Sequence, residues 1–290
     1  MKTAALLLPL LSLALLAGCS KTEEPAKPKV ASESAAPAGY LEKIKARDKL
    51  IVGVFTDKPP FGFVDESGRY VGFDTDIGRR FAKDLLGDEN KVEFVAVEPA
   101  SRIPFLQSDK VDLILANMTV TPERKQAVEF TNPNLKVAVQ ALVPQGSSVK
   151  KLDDLATRTT IVTTGTTADI WLTKTHPDWK LLKFEKNSES LQALANGRGD
   201  AYAQDNLVLF SWAKQNPGYR VLEEKLGAEA PIAPAVKKGN LELRDWINSE
   251  LAKLGEEKYL LKLYDQYVRK ELSDDTRPES VIVDGGKWQG

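Results

Sequence analysis

The sequence contains very few of the side chains that thiol-dependent and metal-dependent enzymes use. It has one cysteine, Cys19, and one histidine, His176, among 290 residues. A chain with one cysteine forms no internal disulfide, and a lone histidine beside a proline in a loop-like stretch is typical of a surface turn. The sequence also lacks the HExxH pattern of zinc hydrolases and the GxxxxGK(S/T) pattern of phosphate loops. We therefore expect no metal, no cofactor and no thiol catalysis.

An excess of charge of either sign is also absent. Lysine and arginine together number 40, aspartate and glutamate number 41, and the formal net charge at pH 7 is −1. This balance gives no basic field of the kind that holds nucleic acid, so we expect no nucleic-acid partner. A hydrophobic content of 42% and a charged content of 28% are typical of a soluble globular chain.

The amino-terminal segment has the pattern of an export signal that ends in a lipid-attachment cysteine. Lys2 precedes an apolar run at residues 4–17, which is shorter than the roughly 20 residues that a membrane-spanning helix needs. The run closes with Leu16-Ala17-Gly18-Cys19. We expect residues 1–18 to be removed and Cys19 to carry lipid, including palmitate, at a membrane face outside the cytoplasm. The alternative is an ordinary secretory signal with a chance cysteine.

Residues 19–40 form a distinct segment behind this cysteine. The segment is rich in lysine, glutamate, proline, alanine and serine and has almost no apolar residue. Such a composition cannot bury enough surface to fold, so it predicts a flexible tether between the lipid and a folded body.

From residue 41 onward, short β-rich runs alternate with helical patterns. A helix is predicted at residues 74–86, because Ile77, Phe81 and Leu85 share one face and Gly87 supplies a stop. Strand–helix alternation over this length predicts an α/β fold with mostly parallel sheets, whose ligands bind at the carboxyl ends of strands. Strands are predicted at residues 50–55, 92–97, 111–117, 137–143, 159–163, 200–204 and 232–236.

One predicted strand-to-helix junction, at residues 117–124, carries an arginine. Thr121 is a good N-cap and Pro122 a good first helical residue, which places Arg124 in the first helical turn. Free backbone N–H groups and the positive helix terminus favour an anion there, and a guanidinium can hold a carboxylate with two parallel bonds. Taken alone, such a motif is more often an exposed arginine on a surface helix.

Two further junctions carry complementary groups. Asp205 follows the strand at residues 200–204, where it either caps the next helix or presents a carboxylate to a ligand. The turn at residues 164–167 presents hydroxyl and backbone N–H groups to any bound anion. A cation and donors for a carboxylate, together with an anion for an ammonium group, describe a receptor for a free α-amino acid.

Four motifs together resemble a known family across residues 45–270. They are similar to the landmarks of the polar amino-acid family (family 3) of periplasmic solute-binding proteins, which serve ABC importers. The motifs are Gly72-Phe73-Asp74-Thr75-Asp76-Ile77 with Phe81-Ala82, Met118-Thr119-Val120-Thr121-Pro122-Glu123-Arg124, Gly165-Thr166-Thr167 and Gln204-Asp205.

The resemblance implies a type II periplasmic binding protein fold with two lobes. Each lobe would be a mostly parallel sheet flanked by helices, and two crossover strands would act as hinges. Lobe 1 would comprise residues 41–139 and 233–290, and lobe 2 residues 140–232. The hinges would lie near residues 139–140 and 231–233.

The resemblance also implies how the ligand is held. Arg124 would bind the α-carboxylate, helped by Thr119 and by the turn Gly165-Thr166-Thr167. Asp205 would accept the α-ammonium group, and Asn117 would add a backbone carbonyl. The ligand would be captured by closure of the cleft between the lobes.

Two positions bear on the ligand's side chain. Family members often lay an aromatic ring over the ligand from the first βα loop, where this sequence has proline, so Phe61 or Phe63 either replaces that ring or packs the core. Arg102 resembles the arginine that meets the side-chain carboxylate in acidic-amino-acid members. Long stretches of the chain look most similar to the cysteine-binding lipoproteins of the family, which carry an arginine there as well. We therefore rank cysteine or cystine first and glutamate or aspartate second.

The resemblance finally implies partners and a location. The closed form would dock on the permease of an ABC importer driven by an ATPase, or on a sensory receptor, in the periplasm or cell envelope. The protein is then not an enzyme. The alternative is a periplasmic arogenate or prephenate dehydratase on the same fold, with a carboxylate such as Glu98 as the acid.

Overall fold

A computed structural model describes residues 39–272 and 276–287. The predicted signal peptide at residues 1–18, the lipid-attachment Cys19 and most of the predicted tether at residues 19–40 lie outside the described residues. Tyr40, the last residue of that tether, already begins a helix. Among the described residues, no helix combines the length and the apolar character needed to cross a membrane.

Strands and helices alternate along the described chain. The α-helices are α1 (Tyr40–Arg47), α2 (Phe73–Leu86), α3 (Arg102–Gln107), α4 (Pro122–Ala127), α5 (Thr167–Thr175), α6 (Asn187–Ala195), α7 (Asn206–Gln215), α8 (Leu241–Glu256) and α9 (Tyr259–Leu263). The strands are β1 (Leu50–Val54), β2 (Asp57–Lys58), β3 (Gly62–Val64), β4 (Tyr70–Val71), β5 (Val92–Ala96), β6 (Leu113–Ile114), β7 (Val128–Phe130), β8 (Leu135–Val137), β9 (Val139–Pro144), β10 (Thr159–Thr163), β11 (Lys180–Phe184), β12 (Ala201–Asp205), β13 (Tyr219–Val221), β14 (Ala230–Ile232) and β15 (Ala235–Lys237).

The first sheet has five strands in the order β5-β1-β6-β15-β7. β1 pairs in parallel with β5 and β6, whereas β15 pairs antiparallel with β6 and β7. All strands except β15 therefore run in one direction. Helix α2 packs its apolar face, including Ile77 and Phe81, into the core of this sheet and ends at Gly87 in the left-handed conformation, as the sequence predicts.

The second sheet repeats this arrangement with the order β11-β10-β12-β9-β13. β10 pairs in parallel with β11 and β12, and β9 pairs antiparallel with β12 and β13, so only β9 opposes the common direction. The predicted class, an α/β fold of mostly parallel sheets flanked by helices, is confirmed.

The chain passes between the two sheets twice, and the two passages are paired with each other. β8 leads into β9 of the second sheet, and β14 leads back into β15 of the first sheet. β8 and β14 form an antiparallel ribbon in which Leu135 lies opposite Ile232. This crossover ribbon (residues 135–137 and 230–232) lies beside the predicted hinge positions. The lobe boundaries and the hinge motion stay predictions.

Two predicted strands are each divided in the structure. The run at residues 137–143 is broken at Ala138, whose backbone N–H and carbonyl bond to Asn206 and not to a neighbouring strand. The run at residues 232–236 is broken at Ala233-Pro234, since proline has no N–H to donate to a ladder. The predicted strand at residues 111–117 is also shorter, because only Leu113–Ile114 pair as β6.

The carboxyl-terminal segment packs against the crossover ribbon. Ile282 forms a bridge with Leu135, and Lys136 donates its backbone N–H to Val281 at 2.9 Å. Val281 and Ile282 are buried in the same core as α2. This segment therefore covers the edge of β8 that β14 leaves open.

Candidate functional site

A small cavity lies between the two sheets at the carboxyl ends of their strands. Phe55 follows β1, Thr166 follows β10, and Asp205 ends β12. The cavity measures about 10 Å³, which is close to the space that one water molecule needs. Its lining residues come from both sheets: Phe55, Lys58, Pro99, Arg102, Asn117, Thr119, Arg124, Thr166, Thr167, Gln204 and Asp205.

Arg124 reaches the cavity from the first turn of α4. Thr121 caps this helix by accepting a bond from the backbone N–H of Arg124 at 3.2 Å, and Pro122 is its first residue, as predicted. The buried guanidinium donates to the carbonyl of Thr119 at 2.8 Å and to the carbonyl of Gly165 at 3.0 Å. Burial lowers the pKa of Arg124. We call the part of the molecule built on the first sheet the first-sheet side, and the part built on the second sheet the second-sheet side. Arg124 therefore links the first-sheet side to the turn before α5, and it is not an exposed surface arginine.

Arg102 lies beside Arg124 and is 3% exposed. It donates to the carbonyls of Pro99 at 3.0 Å and Ala116 at 2.9 Å, and it reaches the Gly165 carbonyl at 3.5 Å. Burial, and next the positive charge of Arg124, lower the pKa of Arg102 well below its ordinary value. Within the part of the chain that the structure describes, both guanidinium groups bond only to neutral carbonyls. Two buried cations without an anionic partner favour an anion at this position.

The turn before α5 supplies donors on the second-sheet side. Thr166 caps α5 by accepting a bond from the backbone N–H of Asp169, and Gly165 adopts a φ of +78°. Thr167 donates its hydroxyl to the Thr119 hydroxyl at 3.0 Å, across the two sheets. The amino terminus of α5 thus faces the same cavity as the two arginines, which adds to the preference for an anion.

Asp205 lies at the N-cap position of α7, but its side chain caps nothing there. Its Oδ2 instead accepts a bond from the Lys58 Nζ at 3.2 Å, and both side chains are buried. The interpretation of Asp205 as a simple helix cap is therefore wrong. Its carboxylate lies in the cavity, opposite the arginines on the first-sheet side.

Lys58 was not identified from the sequence. It is 2% exposed, and its Nζ donates to the Asn117 side-chain oxygen at 2.7 Å as well as to Asp205. The Lys58 Nζ lies 5.2 Å from the centre of the Phe55 ring, and the Arg102 Cζ lies 5.5 Å from that centre. Burial lowers the pKa of Lys58, while the Asp205 carboxylate opposes that shift. The only local signal was its position in β2, shortly after the carboxyl end of β1.

Asn117 connects Lys58 to the core of the first sheet. It adopts a φ of +43°, its backbone N–H donates to the Asp74 carboxylate at 2.9 Å, and its carbonyl accepts a 3.3 Å bond from Arg102. Its side-chain nitrogen is buried without a hydrogen-bond partner. Burial raises the pKa of Asp74 to about 7. Asn117 therefore lines the cavity and bonds to Lys58 through its side chain, whereas the sequence suggested a role for its backbone carbonyl alone.

The structure places Phe61 away from this cluster. Its ring is fully buried in the core of the first sheet, where it packs with the α2 residues, and it is not among the residues that line the cavity. Of the two alternatives for Phe61, packing in the core is the correct one. Phe55 and Lys58 face the cavity from this part of the chain.

The cavity carries an excess of positive charge. Lys58, Arg102 and Arg124 line it against the single carboxylate of Asp205. Glu98, the acid considered for the dehydratase alternative, is not among the lining residues. Among the described residues, no group of three or more histidine, cysteine, aspartate or glutamate side chains could hold a metal ion. Three cationic side chains and one carboxylate therefore meet in one cavity.

Comparison with known proteins finds similarity over most of the chain. A sequence model of the bacterial extracellular solute-binding proteins, family 3, matches residues 50–270. The glutamine-binding protein of Geobacillus stearothermophilus is 41% identical over 231 residues, which are 77% of this chain and 87% of that protein. The ABC transporter glutamine-binding protein GlnH of Bacillus subtilis (strain 168) is 36% identical over 233 residues, covering 80% and 85%. The crystal structure of a cysteine-binding protein from Campylobacter jejuni aligns with a TM-score of 0.84 and 44% identity over 85% of this chain and 100% of that one.

Proposed function

This chain belongs to family 3 of the bacterial extracellular solute-binding proteins and is an amino-acid-binding component of the ABC transporter class, and from this premise we propose that it captures cysteine or cystine. The ligand's α-carboxylate binds Arg124, and its α-ammonium group binds Asp205. Thr119 and the Gly165-Thr166-Thr167 turn add hydrogen bonds to the carboxylate.

One observation carries this proposal. Arg124 and Arg102 are buried side by side and bonded only to carbonyl oxygens among the described residues, while Asp205 lies on the opposite wall of the same cavity. A buried cation is costly without an anion, and two parallel bonds from a guanidinium match a carboxylate. An α-amino acid brings both the missing carboxylate and an ammonium group for Asp205.

The preference for a particular side chain is argued from the relatives. Cysteine is favoured because the Campylobacter jejuni protein is named for it at 44% identity. Glutamine is the second candidate, since the Geobacillus stearothermophilus relative carries that name at 41% identity. Glutamate and aspartate follow, with Arg102 as the expected partner of their side-chain carboxylate.

The cavity is too small for any amino acid as it is, so binding requires the two sheets to separate and close again. Thr167, Gly165 and Asp205 reach the ligand only after closure, because they belong to the second-sheet side. A shift from 1:99 to 99:1 in favour of the closed form needs about 5.5 kcal/mol, which two or three charge-assisted bonds supply. The closed form then docks on a membrane permease that an ATPase drives, while lipid on Cys19 holds the protein to the membrane.

Isothermal titration calorimetry of the purified mature chain tests the proposal. The chain is freed of bound ligand by unfolding and refolding, then titrated with cysteine under reducing conditions, cystine, glutamine, glutamate, aspartate, arogenate and prephenate. We expect cysteine or cystine to bind most tightly. A preference for glutamine would correct the ligand within the same function. Binding of prephenate or arogenate alone would overturn amino-acid capture, and phenylpyruvate absorbance would then reveal a dehydratase.

A further inference from the structure

Lys58 holds the carboxylate that the ligand's ammonium group needs. Its Nζ lies 3.2 Å from the Asp205 Oδ2 and 2.7 Å from the Asn117 side-chain oxygen. The side chain is 2% exposed, so water does not compensate its charge. An ammonium group that binds Asp205 must therefore share this carboxylate with Lys58.

The surroundings of Lys58 offer no second anion at hydrogen-bond distance. The charged groups that act on it are Asp205, Arg102 and Asp57, and among the described residues only Asp205 is bonded to it. Arg102 adds positive charge, and Asn117 contributes a neutral oxygen. Sharing Asp205 with a second cation would leave a buried positive charge only partly compensated, which is unfavourable in a dry site.

A ligand with a negatively charged side chain can compensate the positive charge of Lys58. The amino acid brings one negative and one positive charge through its α-groups, and these pair with Arg124 and Asp205 in the proposed function. A further negative charge on the side chain would then pair with Lys58 and, beside it, with Arg102. A neutral side chain of the same shape would leave Lys58 without that partner.

Resting on the proposed function, we propose that Lys58 is a specificity-determining residue that selects amino acids whose short side chain carries negative charge, a thiolate or a carboxylate, over their neutral counterparts. For cysteine, the thiol binds as the thiolate, since neighbouring cations lower a thiol pKa from its usual value of about 8.5. The thiol proton passes to solvent, so binding at neutral pH releases a proton.

Pairs of ligands that differ in side-chain charge test this proposal. Cysteine is compared with serine, glutamate with glutamine, and aspartate with asparagine, by calorimetry on the mature chain and on Lys58→Met. For the pair that contains the tightest-binding amino acid, we expect the wild type to bind the anionic member at least about 30-fold more tightly than the neutral one. Lys58→Met should lower that preference at least about 10-fold. Lys58→Arg, which keeps the charge, retains the preference. Lys91→Met, at a half-exposed lysine paired with Asp48, is the matched control.

Proton release gives a second readout that a purely structural role would not change. Cysteine is titrated near pH 7 in buffers of different ionisation enthalpy, and we expect close to one proton released per cysteine for the wild type and clearly less for Lys58→Met. A wild type that prefers the neutral member, or a Lys58→Met variant with an unchanged preference, overturns the role of Lys58 and leaves the proposed function intact. A wild type that binds no amino acid overturns the proposed function instead.

Discussion

Gly165 lies directly against the backbone of Ala100 on the other side of the cavity. A Cβ built on Gly165 would fall 2.8 Å from the Ala100 Cα and 2.9 Å from its backbone nitrogen. Gly165 also has a φ of +78°, which side chains rarely adopt. The turn that carries Thr166 and Thr167 therefore approaches the first-sheet side this closely only because residue 165 has no side chain.

Gly165→Ala should weaken ligand binding at least about 10-fold. The added methyl group opposes closure and strains the turn, whereas the core of each sheet is untouched. Gly197→Ala is the matched control, because Gly197 also has a positive φ of 69° but no atom within 4 Å of its Cβ position. Calorimetry and thermal unfolding measure both variants. Equal losses of affinity in the two would show that backbone strain, and not the contact with Ala100, is responsible.

Arg124→Ala should reduce amino-acid affinity by a factor of about 100 or more. Two charge-assisted hydrogen bonds to a carboxylate are worth about 3 to 6 kcal/mol together, and no other described cation has the same place at the amino terminus of α4. Arg124→Lys should recover only part of the loss, since an ammonium group cannot form the two parallel bonds. Arg69→Ala, at an exposed ion pair with Asp65, controls for the loss of an arginine. Near-wild-type binding by Arg124→Ala in calorimetry would contradict the assignment.

Asp57→Ala should raise the dissociation rate of the ligand by a factor of about 3 to 30. The Asp57 carboxylate accepts a 2.9 Å bond from the backbone N–H of Ser188, in the first turn of α6. A residue of the first-sheet side thereby caps a helix of the second-sheet side. Loss of a cap costs about 0.5 to 2 kcal/mol. Stopped-flow tryptophan fluorescence measures the rate. Asp65→Ala, whose carboxylate bonds only locally to Ser67 and Arg69, should leave it unchanged.

Asp74→Asn should flatten the pH dependence of stability between about pH 4 and pH 7. Burial raises the pKa of Asp74 from its ordinary value of 3.8 to about 7, so in this window the folded protein holds a proton that the unfolded chain has released. Wild-type stability therefore falls as pH rises through the window and levels off above it. Denaturant unfolding near pH 5 and near pH 7 measures the difference. If the stability of the wild type and that of Asp74→Asn fell equally with rising pH, the decline would come from a group other than Asp74.

Glu98 contributes with the same sign and needs its own variant. Burial, and next the charge of Asp57, raise the pKa of Glu98 to about 7. Glu98→Gln should remove a separate part of the pH dependence. The double variant should then show the smallest slope of the four proteins, which the same unfolding measurements check.

Local chemistry was enough to predict much of the first-sheet side of the site. Thr121 and Pro122 fix the start of α4, and Gly87 fixes the end of α2, because capping depends on neighbours in sequence. The position of Asp205 at the end of a strand was also readable, since ligands meet such sheets at their carboxyl edges.

Lys58 was not identified from the sequence because its ion-pair partner is distant along the chain. Its partner Asp205 is 147 residues away, and nothing in the local sequence distinguishes a buried lysine from an exposed one. The sequence left the position of Phe61 open for a related reason. Phe55 and Phe61 are both apolar and flank the same loop, and only packing against α2 decides that Phe61 turns to the core.

The order of strands in the first sheet determines which strands can pair early in folding. β6 and β7 are not paired with each other in the described chain, because β15 lies between them. β15 comes after the whole of the second sheet, so a chain made or exported from its amino terminus holds β6 and β7 as unpaired edges until residues 235–237 arrive. Closing so long a loop slows folding, and exposed edges invite pairing with other chains. The nascent first half should therefore depend on chaperones until the second half has been delivered.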